Sequence, residues 1–417
     1  MTPPASAALR QAAPTAPVEP NSASPFAPQL TSPMPSRPSW PLSGTLLLAW
    51  RNLTHERGRF AATLVGVVFS VALMGIQLGL LIGFARTASG LVDSTHADLW
   101  VLPYGTANVD ISGQLLLRRE IEALSLPDVA QADSLLVQFA FWKTPDGRTE
   151  SVSIVGFDPA SRVGAPPGVD EATLRALQID DGILVERLFM QKLGVERLGQ
   201  VVEINGHRAR VVGFTEGIRS FTQSPYVFTT HARAARYVNY HTSQTTYLLL
   251  RLRPGADLEA VRERLHARMP KTDVVTPRTF AGRTQYYWLV VTGAGFALLL
   301  AAGLGLMVGT VIVGQTLYSS TIDRLTEYAT LRAMGASSAW LRRIVLSQAL
   351  LSAALGYSVG IVLVWLAAQL SRYSTVLVSL PLWNAALLAL LTLGMCAMGA
   401  WMSIRRLARV EPSSVFQ

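Results

Sequence analysis

Lysine is nearly missing from this chain of 417 residues, with Lys143, Lys192 and Lys271 the only three. They follow Trp142, Gln191 and Pro270, whereas a phosphate-cradling P-loop places glycine directly before its lysine. The chain therefore carries no such loop and is not a P-loop ATPase on its own. Cysteine is scarcer still: Cys396 alone, so no disulfide forms within one chain. The six histidines (His55, His96, His207, His231, His241 and His266) show neither an H-E-x-x-H pattern nor any other metal-ligand spacing, and no cofactor site is expected. Most informative is the absence of charge from four long runs, Phe60–Ala85, Thr284–Ile322, Ile344–Ser371 and Tyr373–Ile404. Ion- and proton-coupled carriers need ionisable or ion-coordinating groups at membrane depth, so these runs argue against a secondary transporter. The amides at depth, Gln77, Gln315, Gln348 and Asn384, read as packing hydrogen bonds.

What is present is length. Each run exceeds the roughly 20 apolar residues that cross a hydrocarbon core of about 30 Å, so each spans once. A polar block of about 200 residues lies between the first run and the other three, enough to bury a core without disulfides. A hydrophobic share of 50% and a charged share of 15% fit a chain half in lipid and half in water. The net charge of +9 does not mark a nucleic-acid surface, because the arginines are partitioned. Arg51, Arg57 and Arg59 precede the first span; Arg324, Arg332, Arg342 and Arg343 lie between the second and third; Arg405, Arg406 and Arg409 follow the fourth. The positive-inside rule then puts both termini and the second-to-third loop in the cytoplasm, and the large domain outside the cytoplasmic membrane. Trp50, Tyr286, Tyr287, Trp288, Trp383 and Trp401 fall near span ends, where amphipathic rings rest.

The expected organisation is a disordered proline-rich cytoplasmic tail over 1–44 and an amphipathic segment with the first transmembrane helix over 45–86. An extracytoplasmic, periplasmic α/β domain follows over 87–285 and the second helix over 286–317. A cytoplasmic loop occupies 318–343, the third and fourth helices 344–371 and 377–404, and a cytoplasmic tail 405–417. Residues 1–40 hold ten of the 23 prolines and almost no charge, too little apolar surface to offset ordering entropy. With no apolar h-region, they do not read as a cleavable signal peptide. Leu46–Arg57 reads as an amphipathic segment along the inner surface.

Within the outer domain, Val201–Ile204, Asn205-Gly206 and His207–Val212 form a strong hairpin signal, the pair demanding positive φ. Ser151–Phe157, Gly182–Glu186 and Tyr247–Arg253 are further strands, and Asp257 caps a helix through Met269. Leu102–Gly113 takes no assignment beyond a loop near the membrane surface. Gly75, Gly79 and Gly83 share one face of the first span, and Ala301, Gly305 and Gly309 one face of the second. Such faces serve packing within one bundle or a seam between two copies. Gly356-Tyr357-Ser358-Val359-Gly360 matches the G-x-S-x-G hydrolase string but sits in an uncharged span with no base at that depth, a chance match.

The second-to-third loop contains Asp323–Met334, charged and helix-compatible, with Leu325, Tyr328, Leu331 and Met334 at every third residue. Gly335 follows as a C-cap and Ser337–Arg343 restarts a helix. This short helix outside the bilayer is either a surface anchor or a receiver of force between two spans. Glu327-Tyr328-Ala329-Thr330-Leu331-Arg332-Ala333-Met334-Gly335-Ala336-Ser337 resembles the E-x-x-x-L-R-A-x-G-A-S segment of FtsX/MacB-type ABC transporter permeases. The layout of one span, a large outer domain and three spans resembles theirs too. So do Gly182–Glu186 through Leu193-Gly194, Gly199–Val202, Asn205-Gly206 to Val211–Gly213, Arg51-Asn52-Leu53 and Arg405–Pro412, giving a likeness over about 45–415. Asp98-Leu99-Trp100-Val101 and the compact outer domain are most similar to the DevC branch, whose permeases work with a DevA-type ATPase and a DevB-type membrane-fusion protein.

The resemblance implies four transmembrane helices with a mixed α/β domain inserted after the first. It implies a non-enzymatic, homodimeric or pseudo-dimeric permease of an ABC export complex in the inner membrane. Its partners would be a separate cytoplasmic ATPase and, for the DevC branch, a membrane-fusion protein and outer-membrane channel. The coupling helix, with Glu327, Tyr328, Leu331, Arg332, Met334, Gly335 and Ala336, would seat in a groove on that ATPase: Leu331 in the groove, the charges orienting, Gly335 ending the helix. The rival expectation is an FtsX-type regulator that moves an outer enzyme such as a cell-wall hydrolase and exports nothing.

Overall fold

The structure, a computed structural model, describes residues 49–51, 55–220, 222, 224–334 and 336–407. The proline-rich tail, the C-terminal tail from residue 408 and Gly335 lie outside the described residues, as does half of the expected amphipathic segment Leu46–Arg57. Among the described residues four helices are long and apolar enough to cross a membrane: α1 (Arg57–Ala88), α9 (Ala294–Asp323), α11 (Ser338–Leu370) and α12 (Leu382–Leu407). At 1.5 Å per residue, α9 and α11 reach about 45 and 50 Å, so both project beyond a hydrocarbon core of about 30 Å. α1 and α12 each pack along α9 and α11, which sit diagonally opposite with little mutual contact. The bundle core is Val67, Val71, Met74, Val313, Val345, Ala349, Val364, Leu388 and Met395, with Cys396 among them.

Between α1 and α9 lies a mixed sheet of nine strands in the order β11-β1-β10-β3-β4-β8-β5-β7-β6. Its organising element is β3 (Val129–Lys143), long enough to serve two lobes. The first half of β3 pairs antiparallel with β10 (Tyr247–Leu252), Leu135 opposite Tyr247. β10 in turn pairs with β1 (Leu99–Pro103), and β1 with β11 (Thr272–Val275). The second half pairs with β4 (Thr149–Phe157), Leu136 opposite Gly156. Trp142 and Lys143 at its end meet β6 (Val201–Ile204), closing a ring through β8 (Tyr226–Thr230), β5 (Gly182–Glu186) and β7 (His207–Thr215).

In the first lobe, α7 (Leu258–Arg268) covers one face of the sheet, Val261, Leu265 and Met269 packing on Leu99, Val101, Leu248 and Leu250. The alternate residues Trp100, Leu102 and Leu249 pack on the opposite side with Tyr247 and Phe280. Both faces are thus buried, and β1 and β10 read as unbroken apolar runs without strand alternation. Asp257 caps α7 by accepting from the amides of Glu259 and Ala260, as its position predicts. Asn205 (φ 47°) and Gly206 (φ 79°) form the left-handed turn expected between β6 and β7.

The second uncharged run does not start within the long apolar helix α9. Residues Thr284–Tyr286 belong to α8 (Pro277–Tyr286), whose Phe280 ring lies 5.2 Å from Trp100 and 5.7 Å from Tyr247, centroid to centroid. A π-helical turn (Tyr287–Val291) and Gly293 at φ 77° then separate α8 from α9. Burial of one α8 face against the outer domain outweighs the absence of charge. The segment Leu102–Gly113 is pinned at this junction: the Tyr247 hydroxyl donates to the Val109 carbonyl (2.9 Å), and Trp288 Nε1–H donates to Asp110 Oδ2 (3.1 Å). Asp110 is buried, and loss of solvation pushes its pKa up to about 6.

Candidate functional site

The end of the bundle where α9 gives way to α11 carries the predicted working part, and its geometry is a braced helix. The α10 helix (Leu325–Ala333) follows α9 after Arg324. Its Tyr328 is buried with Trp340, Leu341 and Ile344 from the first turns of α11, and Leu331 and Ala336 pack at the edge of that cluster. Ser337 caps α11, accepting from the Trp340 amide at 3.2 Å, the helix restart that the sequence predicts. The Ala336 amide donates to the Leu331 carbonyl at 3.0 Å, the wide six-residue closure that ends an α-helix.

Opposite the apolar cluster is a row of alternating charges. Arg324, 7% exposed, sits 3.8 Å from Glu56 and 3.7 Å from Glu327. Arg59 pairs with Glu56 at 2.9 Å and with Asp323. Asp323–Arg59–Glu56–Arg324–Glu327 thereby link the end of α9, the start of α1 and α10. Exposed ion pairs contribute little, but a chain anchored on a buried guanidinium restrains relative position.

The residues predicted for coupling divide by direction. Thr326, Glu327, Thr330 and Met334 are exposed, Met334 at 71%, while Tyr328 faces inward and Leu331 and Ala336 are half-buried. Arg332 lies within α10; its side chain, like Gly335, lies outside the described residues. Glu56, Arg59 and Asp323 escape sequence reasoning because their pairing crosses two helices; the one available signal is that Arg59 and Asp323 flank uncharged runs.

The five glycines face into this chain's own bundle. A side chain on Gly75 would strike Val364 and Leu388, on Gly79 Val378, and on Gly83 the Leu377 carbonyl. On Gly305 it would press on Met74 and on Gly309 it would meet Met395 and Ser70. The G-x-S-x-G string is packing as well: Gly356 and Gly360 admit Val67 and Val71, and the exposed Ser358 hydroxyl donates to the Ala354 carbonyl of its own helix. Among the described residues no cluster of histidine, cysteine, aspartate or glutamate could hold a metal ion.

The family model for the MacB-like periplasmic core domain matches residues 60–268, and that for the FtsX-like permease C-terminal region matches 299–412. The first spans α1 and nearly all of the outer domain, and the second spans α9 to α12. The chain belongs to the FtsX/MacB-like family of ABC transporter permeases. This permease is 24% identical over 376 residues to an uncharacterized ABC transporter permease of Mycobacterium tuberculosis, covering 89% of this chain and 99% of the relative. A second uncharacterized permease of that organism is 24% identical over 383 residues, with the same coverage. Among solved structures, the periplasmic region of MacB from Actinobacillus actinomycetemcomitans aligns at 9% identity and TM-score 0.34, over 45% of this chain and 92% of that one. The extracellular domain of the transporter YknZ from Gram-positive bacteria aligns at 11% identity and TM-score 0.32, over 43% and 99%. The permease is accordingly a multi-pass inner-membrane protein with a MacB-like periplasmic domain inserted after its first helix.

Proposed function

We propose that this permease is the transmembrane subunit of an ABC export complex, one that receives ATP-driven motion from a separate cytoplasmic ATPase and delivers it to the periplasmic domain. The observation that carries this reading is the two-sided bracing of α10. Its inner face is locked to α11 by Tyr328, Trp340, Leu341 and Ile344, and its base is tied to α1 and α9 through Arg324. Its outer face, Thr326, Glu327, Thr330 and Met334, stays free for a partner. A surface anchor helix would turn its apolar side to lipid; this one turns it to the protein. A push on α10 reaches the diagonal helices α9 and α11 together. In this scheme both termini are cytoplasmic, two copies of the permease or a close relative pair in the membrane, and a membrane-fusion protein and outer-membrane channel continue the export route.

Because Leu331 is half-buried and Met334 exposed, the ATPase contact in this reading is Met334 with its exposed neighbours. Met334→Asp should leave the fold intact and abolish stimulation of the ATPase by the permease in a reconstituted complex. Leu331→Asp should instead loosen the cluster around Tyr328 and lower the melting temperature. Full ATPase stimulation by the Met334→Asp permease would sink the proposal.

A further inference from the structure

The third span has no covalent route to the periplasmic domain. α11 is preceded by the coupling helix and followed by a turn (Ser371–Tyr373), a short loop and α12. Motion of α11 reaches the outer domain through its packing on α1, which leads into that domain, and through contacts at its far end, where one residue supplies a directed one. Arg219, in the segment between β7 and β8, donates from Nη1 to the Ser371 carbonyl (3.3 Å) and from Nη2 to the Arg372 carbonyl (2.6 Å). These carbonyls belong to the turn that closes α11, where helix carbonyls run out of partners and negative partial charge gathers. A guanidinium fork from another domain therefore caps the span.

The backbone that presents Arg219 is itself held. Glu186, at the end of β5 and 3% exposed, accepts from the Thr215 hydroxyl (2.8 Å) and the Gly217 amide (3.1 Å). Gly217 takes φ 96°, a conformation glycine adopts without strain. The Arg219 carbonyl also lies 3.8 Å from where a side chain on Gly90 would begin, against the segment that follows α1. A continuous path thus runs from β5 through Glu186 and the 215–218 turn to Arg219 and the end of α11. At its other end α11 is packed on the coupling helix.

We infer that Arg219 is a positioning residue that fastens the second lobe of the periplasmic domain to the outer end of the third span, so that lobe and span move as one. This rests on the reading of α10 as the point where force enters. The α8–α9 connection, broken by a π-turn and Gly293, is then the compliant link, and Arg219 the stiff one.

The test uses the full-length permease in lipid nanodiscs, with spin labels on cysteines introduced at Glu196 and Tyr373, both exposed; Cys396 is buried in the bundle. Pulsed dipolar spectroscopy should give one narrow distance between them. Arg219→Gln, which loses the charged fork, should broaden it about twofold, with Arg219→Lys intermediate, since one ammonium keeps a point charge without the fork. Glu186→Gln, which leaves Arg219 in place, should broaden it less. Equal widths in all four proteins would overturn the proposal. In the complex with its ATPase, ATP should alter a second label pair, Arg251 with Phe296 across the α8–α9 hinge, while the first distance stays constant. In Arg219→Gln both distances should change with ATP; an unchanged first distance there would overturn the proposal. If ATP moves neither pair in the wild type but the widths behave as stated, the force-transmission reading fails and the clamp stands.

Discussion

The periplasmic domain and the membrane bundle are both apolar inside, yet they are filled differently. The fully buried large side chains are overwhelmingly in the outer domain: Trp100, Trp142, Tyr226, Tyr237, Tyr247, Phe157, Phe189, Phe228 and Phe280. Among the described residues the largest fully buried side chains of the bundle are Met74 and Met395, neither of them a ring, and the interhelical contacts run over Gly66, Gly75, Gly309, Gly314, Gly356 and Gly360. In water the removal of apolar area drives folding, so large rings contribute most per residue. In lipid that driving force vanishes between helices, and close approach of backbones takes its place. Equal hydrophobicity therefore has two structural meanings, set by the solvent outside.

The sharpest way to break the comparison is to remove a ring from the domain. Trp100→Ala, at 0% exposure between Tyr247 and Phe280, should cost about 3–5 kcal/mol, seen as a large drop in the outer-domain transition on thermal unfolding in detergent. The converse change adds volume to the bundle. Gly83→Ala would drive a methyl into the Leu377 carbonyl and should cost about 1–3 kcal/mol, while Gly303→Ala, with open space around it, should be neutral. If the two alanines melt alike, small residues are not what holds the bundle.

A third measurement sharpens the junction between the two regions. The Asp110 carboxyl is raised by burial to about 6, so it contributes stability in its protonated form below about pH 4, and that contribution is lost as pH rises through 6. The span corresponds to about 2–3 kcal/mol at most. Asp110→Asn should flatten the fall in melting temperature between pH 4 and 6 without abolishing it. Asp133, likewise raised to about 6 by burial, remains. An unchanged pH profile would show that the carboxyl at Trp288 is not desolvated. The smallest effect belongs to the periplasmic surface, where Glu203→Gln, which breaks an exposed pair with Lys143 (3.4 Å), should cost no more than about 1 kcal/mol. A larger loss would mean that this surface is covered in the assembled complex.

Legibility in the sequence followed the range of the interactions. The Asn205-Gly206 hairpin, the Asp257 and Ser337 caps and the presence of four long apolar helices are local patterns, and each appears in the structure. β1 was not legible as a strand, because a strand buried on both faces shows no alternation, and in β3 the apolar Phe139 and Phe141 on the exposed face hide the alternation. The start of the second run was misleading: Thr284–Tyr286 lacks charge yet belongs to α8, held on the domain by Phe280, and Trp288 beyond it bonds Asp110. In the coupling region the helix and its apolar repeat were readable, but which face is free was not. That depended on Trp340 and Ile344 folding back onto Tyr328.

From the linear order of residues alone came the number of spans, the inserted domain and the family-like loop between the second and third spans. Those are properties of short windows, fixed by transfer of side chains between water and lipid. The folded arrangement alone decided that α9 and α11 stand diagonally, that Arg324 ties Glu327 to Glu56, and that Arg219 meets the end of α11. Those contacts join residues far apart in the chain, and only the packing of whole helices and sheets brings their atoms within reach.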